Sequence, residues 1–91
     1  MDLDIQNEEG KRYYIQFEGE RAELTYADSG RTRDFRHTWV PEELRGRKIA
    51  EKLVSHALDD TMRNGYKFIA TCPFVERFVE KHPEYRKGLA S

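Results

Sequence analysis

Residues 37–58, HTWVPEELRGRKIAEKLVSHAL, place three signals side by side. An extended run ends at Pro41, a lone glycine follows with Arg45, Arg47 and Lys48 around it, and a periodic helix begins with almost no spacer. Ile49, Ala50, Leu53, Val54, Ala57, Leu58 and Met62 form the apolar stripe, with Glu51, Lys52, Ser55, Asp59 and Arg63 opposite. That spacing predicts a helix over 47–64, closed by the left-handed stop Asn64-Gly65. Upstream, RTRDFRHTWV (31–40) alternates as a strand, with Phe35, His37 and Trp39 expected on one face, until Pro41 ends it.

Working outward, RYYIQFE (12–18) and AELTYAD (22–28) are β-prone and aromatic, and Glu18-Gly19-Glu20 between them reads as a hairpin turn. Asp28-Ser29-Gly30 is a second turn. Downstream, YKFIATC (66–72) reads as a strand, and Pro73 opens a helix over 73–82 with Phe74, Val75, Phe78 and Val79 on one side. The order strand, strand, strand, helix, strand, helix predicts an α+β domain with an α/β-like core: a mixed sheet of three to four strands and two helices. The helical crossover makes 32–40 and 66–72 parallel neighbours. Ligands of such sheets bind beyond the carboxyl ends of the strands, here the segments after Val40 and Cys72.

The 91 residues fit a single domain, 1–91, with a modest core. A net charge of −1 with 36% charged residues provides no global field, so any charge effect is local. Residues 1–20 carry six acids against two bases, whereas 31–48 carry six bases against three acids. Aromatics beside Arg31, Arg33 and Arg36 invite a base-stacking reading, but strand aromatics belong to cores and the chain lacks basic character, so no nucleic-acid partner is expected. Cys72 is the only cysteine, which excludes an intrachain disulfide. With three scattered histidines it makes no metal site. The N-terminus does not read as a targeting segment, and no run is apolar enough to span a bilayer; a cytoplasmic protein without a membrane partner is expected.

A helix start presents free N–H groups and a partial positive charge, Gly46 admits a ligand close to the backbone, and Arg45, Arg47 and Lys48 add charged donors. Phosphate is the guest this pattern fits; the other reading is a solvated helix start, since one glycine between basic residues is a weak signal by itself. Cys72, at a strand end before a helix, is either a small buried hydrophobe or a thiolate favoured by the helix dipole. His37 is either a hydrogen-bonded structural residue or a base for a thiol or amine. His56 and His82 read as surface or capping residues.

HTWVPEELRGRKIAEKLV (37–54) together with CPFVERFVEKHPEY (72–85) resembles the GCN5-related N-acetyltransferase superfamily, in particular its small single-domain bacterial branch. The likeness covers about 20–89. His37-Thr38, Arg45-Gly46, Ile49-Ala50, Cys72-Pro73-Phe74 and His82-Pro83-Glu84-Tyr85 all stand where that branch has them. The resemblance implies a minimal acetyltransferase fold whose splayed parallel strands hold acetyl-CoA, with the pantetheine arm on main-chain groups of Thr38, Trp39 and Val40. The superfamily's phosphate loop reads Gln or Arg, two residues, Gly, one residue, then Gly or Ala; those positions here are Glu43, Gly46 and Lys48, and Lys48 departs from the pattern. The small branch also carries a cysteine at position 72, which implies a catalytic or acyl-carrying role through an acetyl-cysteine. Tyr85 stands where larger relatives place a tyrosine that protonates the departing thiolate, or is an aromatic plug over Phe78.

The expectation is an acetyl-CoA-dependent acetyltransferase, monomeric or homodimeric, acting on an amine. The small branch lacks the segments that usually wall the acceptor pocket, which suits a polyamine, a protein amine or a site completed by another chain. The other reading is a non-catalytic acyl-CoA-binding or protein-interaction module, and Lys48 speaks for it.

Overall fold

The computed structural model describes residues 4–90. Five strands form one sheet in sequential order: β1 (Ile5–Glu8), β2 (Arg12–Phe17), β3 (Glu20–Ser29), β4 (Thr32–Trp39) and β5 (Lys67–Ala70). The first three pairings are antiparallel, and β4 pairs with β5 in parallel, as the crossover requires. That crossover is helix α1 (Ile49–Arg63), preceded by a short 3₁₀ helix (Glu42–Leu44); helix α2 (Pro73–Lys81) and a second 3₁₀ helix (Pro83–Gly88) follow β5.

The sheet has five strands where three or four were expected. β1 holds one apolar residue, Ile5, in the sequence IQNE, and pairs only on its β2 side. A polar edge strand of that length carries too little alternation to register as a strand. The turns follow their residues closely. Glu18 and Gly19 both have positive φ (50° and 81°) between the paired residues Phe17 and Glu20, the two-residue hairpin geometry that matches strand twist. At the end of α1 the Gly65 N–H bonds to the Met62 carbonyl and the Tyr66 N–H to Thr61, which satisfies two orphan carbonyls of the last turn.

One core holds the molecule together. Tyr13, Ile15, Ala22, Leu24, Phe35 and Phe68 of the sheet meet Leu53, Val54, Ala57 and Leu58 of α1 and Val75, Phe78 and Val79 of α2. Both helices therefore cover one face of the sheet. The residues that alternate with these, among them Tyr14, Glu23, Thr25 and Ile69, are half-buried or exposed, so the other face is open.

The expectation that Phe35, His37 and Trp39 share a face is corrected by a bulge. Thr25 pairs with His37 but Tyr26 pairs with Phe35, so Arg36 is an extra residue in β4 and the alternation inverts there. Phe35 stays in the core, Thr38 comes round opposite buried Leu24, and His37 and Trp39 turn to the open face.

Candidate functional site

The β4–β5 ladder ends at the pair Phe35–Ala70, although β4 continues to Trp39. The strands part there, and the last main-chain hydrogen bond between the two segments is the Cys72 N–H donating to the Phe35 carbonyl at 2.8 Å. A cleft of about 380 Å³ opens beyond it, walled by Thr38, Trp39 and Val40 of β4, by Leu44 to Gly46 of the loop, by Lys48 to Glu51 at the start of α1, and by Phe74 of α2.

The loop between β4 and α1 is shaped by two left-handed residues. Gly46 has φ 83°, and a Cβ there would meet open space, so glycine is needed for its backbone angle and a ligand can approach it. Lys48 is the N-cap of α1 at φ 58°, the same region but with a side chain that disfavours it. No side chain caps the helix, and among the described residues no N–H from Gly46 to Glu51 finds a hydrogen-bond acceptor. The cleft thus ends on a row of free amide donors with the positive pole of a fifteen-residue helix behind them.

The predicted residues divide. Thr38, Trp39, Val40, Arg45, Gly46, Lys48, Ile49 and Ala50 all border the cleft. Arg45 is partly engaged: its Nε donates to the Val40 carbonyl at 3.1 Å and its guanidinium lies 5.8 Å from the Trp39 ring centre. Arg47 is outside the wall, with its guanidinium 5.8 Å from the Phe17 ring. Cys72 is buried, and its sulfur sits 3.2 Å from the Thr38 hydroxyl, one layer behind the cleft surface. His37 is exposed on the open face, so the fold does not bring His37 and Cys72 together.

Residues 12–88 match the GCN5-related N-acetyl-transferase family. The chain belongs to that family. It is 35% identical over 93 residues to Protein NATD1 of Danio rerio, covering 96% of this chain and 84% of that one. It is 38% identical over 65 residues to Protein NATD1 of Homo sapiens, covering 70% of this chain and 58% of the human one. The solution structure of a GCN5-like protein from Staphylococcus aureus superposes with a TM-score of 0.76 at 29% identity, over 98% of this chain and 89% of that chain. The α+β architecture with a parting pair of parallel strands is therefore the acetyltransferase fold, in a form with an open second sheet face.

The other singled-out residues of this acetyltransferase-family chain lie away from the cleft. Tyr85 packs 5.6 Å from the Phe78 ring and exchanges a hydrogen bond with Ser55 at 3.1 Å, as an aromatic plug does; burial raises its phenol pKa. His82 caps α2 and stacks on Phe78 at 4.3 Å. His56 is exposed, edge-on to Tyr13 at 6.1 Å. Among the described residues no helix is long and apolar enough to cross a membrane, and no group of three or more metal-ligating side chains converges.

Sequence reasoning missed Arg33. Its side chain is 3% exposed, with Nε and Nη2 on the two carboxylate oxygens of Asp28 (2.8 and 3.1 Å) and Nη1 on the Tyr13 hydroxyl at 2.7 Å. The Tyr26 and Tyr66 rings lie 4.2 and 4.8 Å away. Burial opposes the charge most strongly, but the Asp28 hydrogen bonds together with the charge interactions with Tyr13, Tyr26 and Asp28 outweigh it and hold the guanidinium more basic than usual. Turned inward, Arg33 is withdrawn from any basic surface with Arg31 and Arg36. The signal was present, because alternation from buried Phe35 places Arg33 on the same face.

Proposed function

We propose that this protein binds acetyl-CoA in the cleft beside Gly46 and transfers its acetyl group to an amine. The observation that carries the reading is the coincidence of parted parallel strands with a helix start whose amide donors are free and whose glycine leaves the backbone bare. Gly46 to Ala50 hold the pyrophosphate, Lys48 adds a charged donor, and the β4 edge at Thr38 to Val40 lies along the pantetheine arm. The reaction is aminolysis of a thioester: a C–N bond forms, the C–S bond breaks, and a proton leaves the attacking nitrogen. α1 and α2 occupy one face of the sheet, so an acceptor reaches the parting strands from the open face. His37 is on that face and takes the proton. Cys72 lies behind Thr38, which supports direct transfer over an acetyl-cysteine.

A second reading, an acyl-CoA-binding module without transfer, is favoured by one observation: neither His37 nor Cys72 borders the cleft. The two are separated by following free CoA with acetyl-CoA and either spermidine or a lysine peptide, alongside intact-protein mass. Steady release that survives Cys72→Ser and falls at least about tenfold in His37→Ala supports direct transfer. One acetyl on Cys72, labile to hydroxylamine and required for turnover, replaces it with the covalent route. Binding with no release establishes the module.

A further inference from the structure

The sheet face that the helices leave bare holds two of the three large hydrophobic residues exposed among the described residues. They are Trp39 at the end of β4, 49% exposed, and Ile69 of β5, 43% exposed. They stand on either side of the point where β4 and β5 part, with His37 between them. Ile69 is level with Asp34, so Trp39 lies five residues farther along, roughly 15 Å at the rise of a strand. A small amine is too short to touch both, whereas an extended peptide of about five residues spans them.

Charge on this face is unequally matched. The carboxylates of its strands are engaged: Glu8 and Glu23 by Arg12, both at 3.2 Å, and Asp34 by Arg36 at 3.3 Å and by the Thr71 hydroxyl at 2.6 Å. Arg21 and Arg45 have no carboxylate partner among the described residues. Each rests instead against an aromatic ring of the open face, Arg21 4.2 Å from the Tyr14 ring centre and Arg45 5.8 Å from that of Trp39. Such a contact holds a guanidinium in place while its outer N–H edge stays free to receive a carboxylate. Both lie at the Trp39 end, because Glu23, two residues along β3 from Arg21, is the cross-strand partner of Trp39.

We infer that this face docks an acidic segment of a partner protein, which lies along β4 with a lysine at His37 and its carboxylates on Arg21 and Arg45. The inference rests on the transfer reading above and names its acceptor. The lysine Nζ bonds to the acetyl carbon, the C–S bond breaks, the Nζ proton passes to His37 and coenzyme A leaves as the thiolate. Trp39 and Ile69 supply the apolar anchors that a protein contact needs. A nucleic-acid strand fits less well, because Glu8, Glu23 and Asp34 are spread over the face and oppose a continuous line of phosphates.

The test uses three labelled peptides of equal length, each with one central lysine, flanked by glutamate, serine or arginine. Binding is read by fluorescence polarisation at low salt, where exposed charges are least screened, and transfer by release of CoA from acetyl-CoA. The wild type is expected to bind the glutamate peptide about fivefold more tightly than the serine peptide, and the arginine peptide least. Arg21 and Ile69 are exposed, so their substitution leaves the core intact. Arg21→Glu is expected to reverse the order of the peptides, and Ile69→Ala to weaken all three by at least about fivefold. Equal binding of the three peptides overturns the docking surface, while release of CoA with any of them leaves the transfer reading standing. The expected order of binding without release keeps the surface and overturns the lysine as acceptor. A short single-stranded oligonucleotide that displaces the glutamate peptide at lower concentration assigns the face to nucleic acid, and a dimer in sedimentation that Ile69→Ala breaks assigns it to a second copy; either overturns the protein partner.

Discussion

Lys48 shows how one residue carries two opposed effects. Its φ of 58° is a left-handed angle that a Cβ disfavours, and the same residue borders the cleft with a charged side chain. A glycine, one of the two residues the resemblance implies at this position, suits the backbone, and the lysine here accepts strain in exchange for charge. The two are separable by substitution. Lys48→Gly is expected to raise stability by roughly 0.5–1 kcal/mol in chemical denaturation, the left-handed penalty less the extra freedom of an unfolded glycine. Lys48→Ala keeps the penalty and gains nothing. Both weaken CoA alike, because both delete the same cation. If alanine stabilises as much as glycine, the strain is not in the φ angle.

At the scale of elements, the helices and the parallel crossover were legible because period, cap and proline agree: α1 at 49–63 lies inside the expected 47–64, and α2 at 73–81 matches 73–82 within a residue. Gly46 with Arg45 and Lys48 was a weak signal alone, sharpened by its place between a strand and a helical stripe, and all three border the cleft. The bulge at Arg36 was not. Nothing in Asp34-Phe35-Arg36-His37 marks it, because it is a mismatch with β3 and exists only once the two strands pair. That one residue moved His37 to the open face and Thr38 against Cys72. The C-terminal 3₁₀ helix was likewise hidden, and its docking depends on Gly88. A Cβ at Gly88 would stand 2.8 Å from the buried Phe68 ring and would also press on the Met62 side chain. Gly88→Ala is expected to destabilise by about 1–3 kcal/mol through overpacking. Thermal melting reads it as a drop of at least about 4 °C for a domain of this size. An unchanged melting temperature would show that the 3₁₀ helix is not clamped against β5.

At the scale of the whole molecule, Tyr13 ties the layers together and sets the alkaline limit of the fold. Its ring is fully buried in β2, its hydroxyl accepts from Arg33 of β4 at 2.7 Å, and it donates to Asp60 of α1 at 2.6 Å. Burial, reinforced by the bond to Asp60, raises its pKa well above the ordinary 10.0; burial also raises Tyr26 and Tyr85. The sign follows from proton counts. Above pH 10 the unfolded chain has released these protons and the folded chain still holds them, so the unfolded state binds fewer and stability falls as pH rises. Below pH 10 both states are protonated and the full contribution is present. A 91-residue domain with one core unfolds cooperatively, so the deficit at Tyr13 is felt by the entire chain. Tyr13→Phe is expected to be less stable than wild type at pH 8, because Asp60 and Arg33 lose their shared hydroxyl. Its stability should also fall less steeply above pH 10, by up to about 1.4 kcal/mol per pH unit. The two curves therefore converge on the alkaline side. Urea denaturation at pH 8, 10 and 11 measures both slopes, and parallel curves would show that the Tyr13 proton is held no more tightly in the folded chain than in the unfolded one.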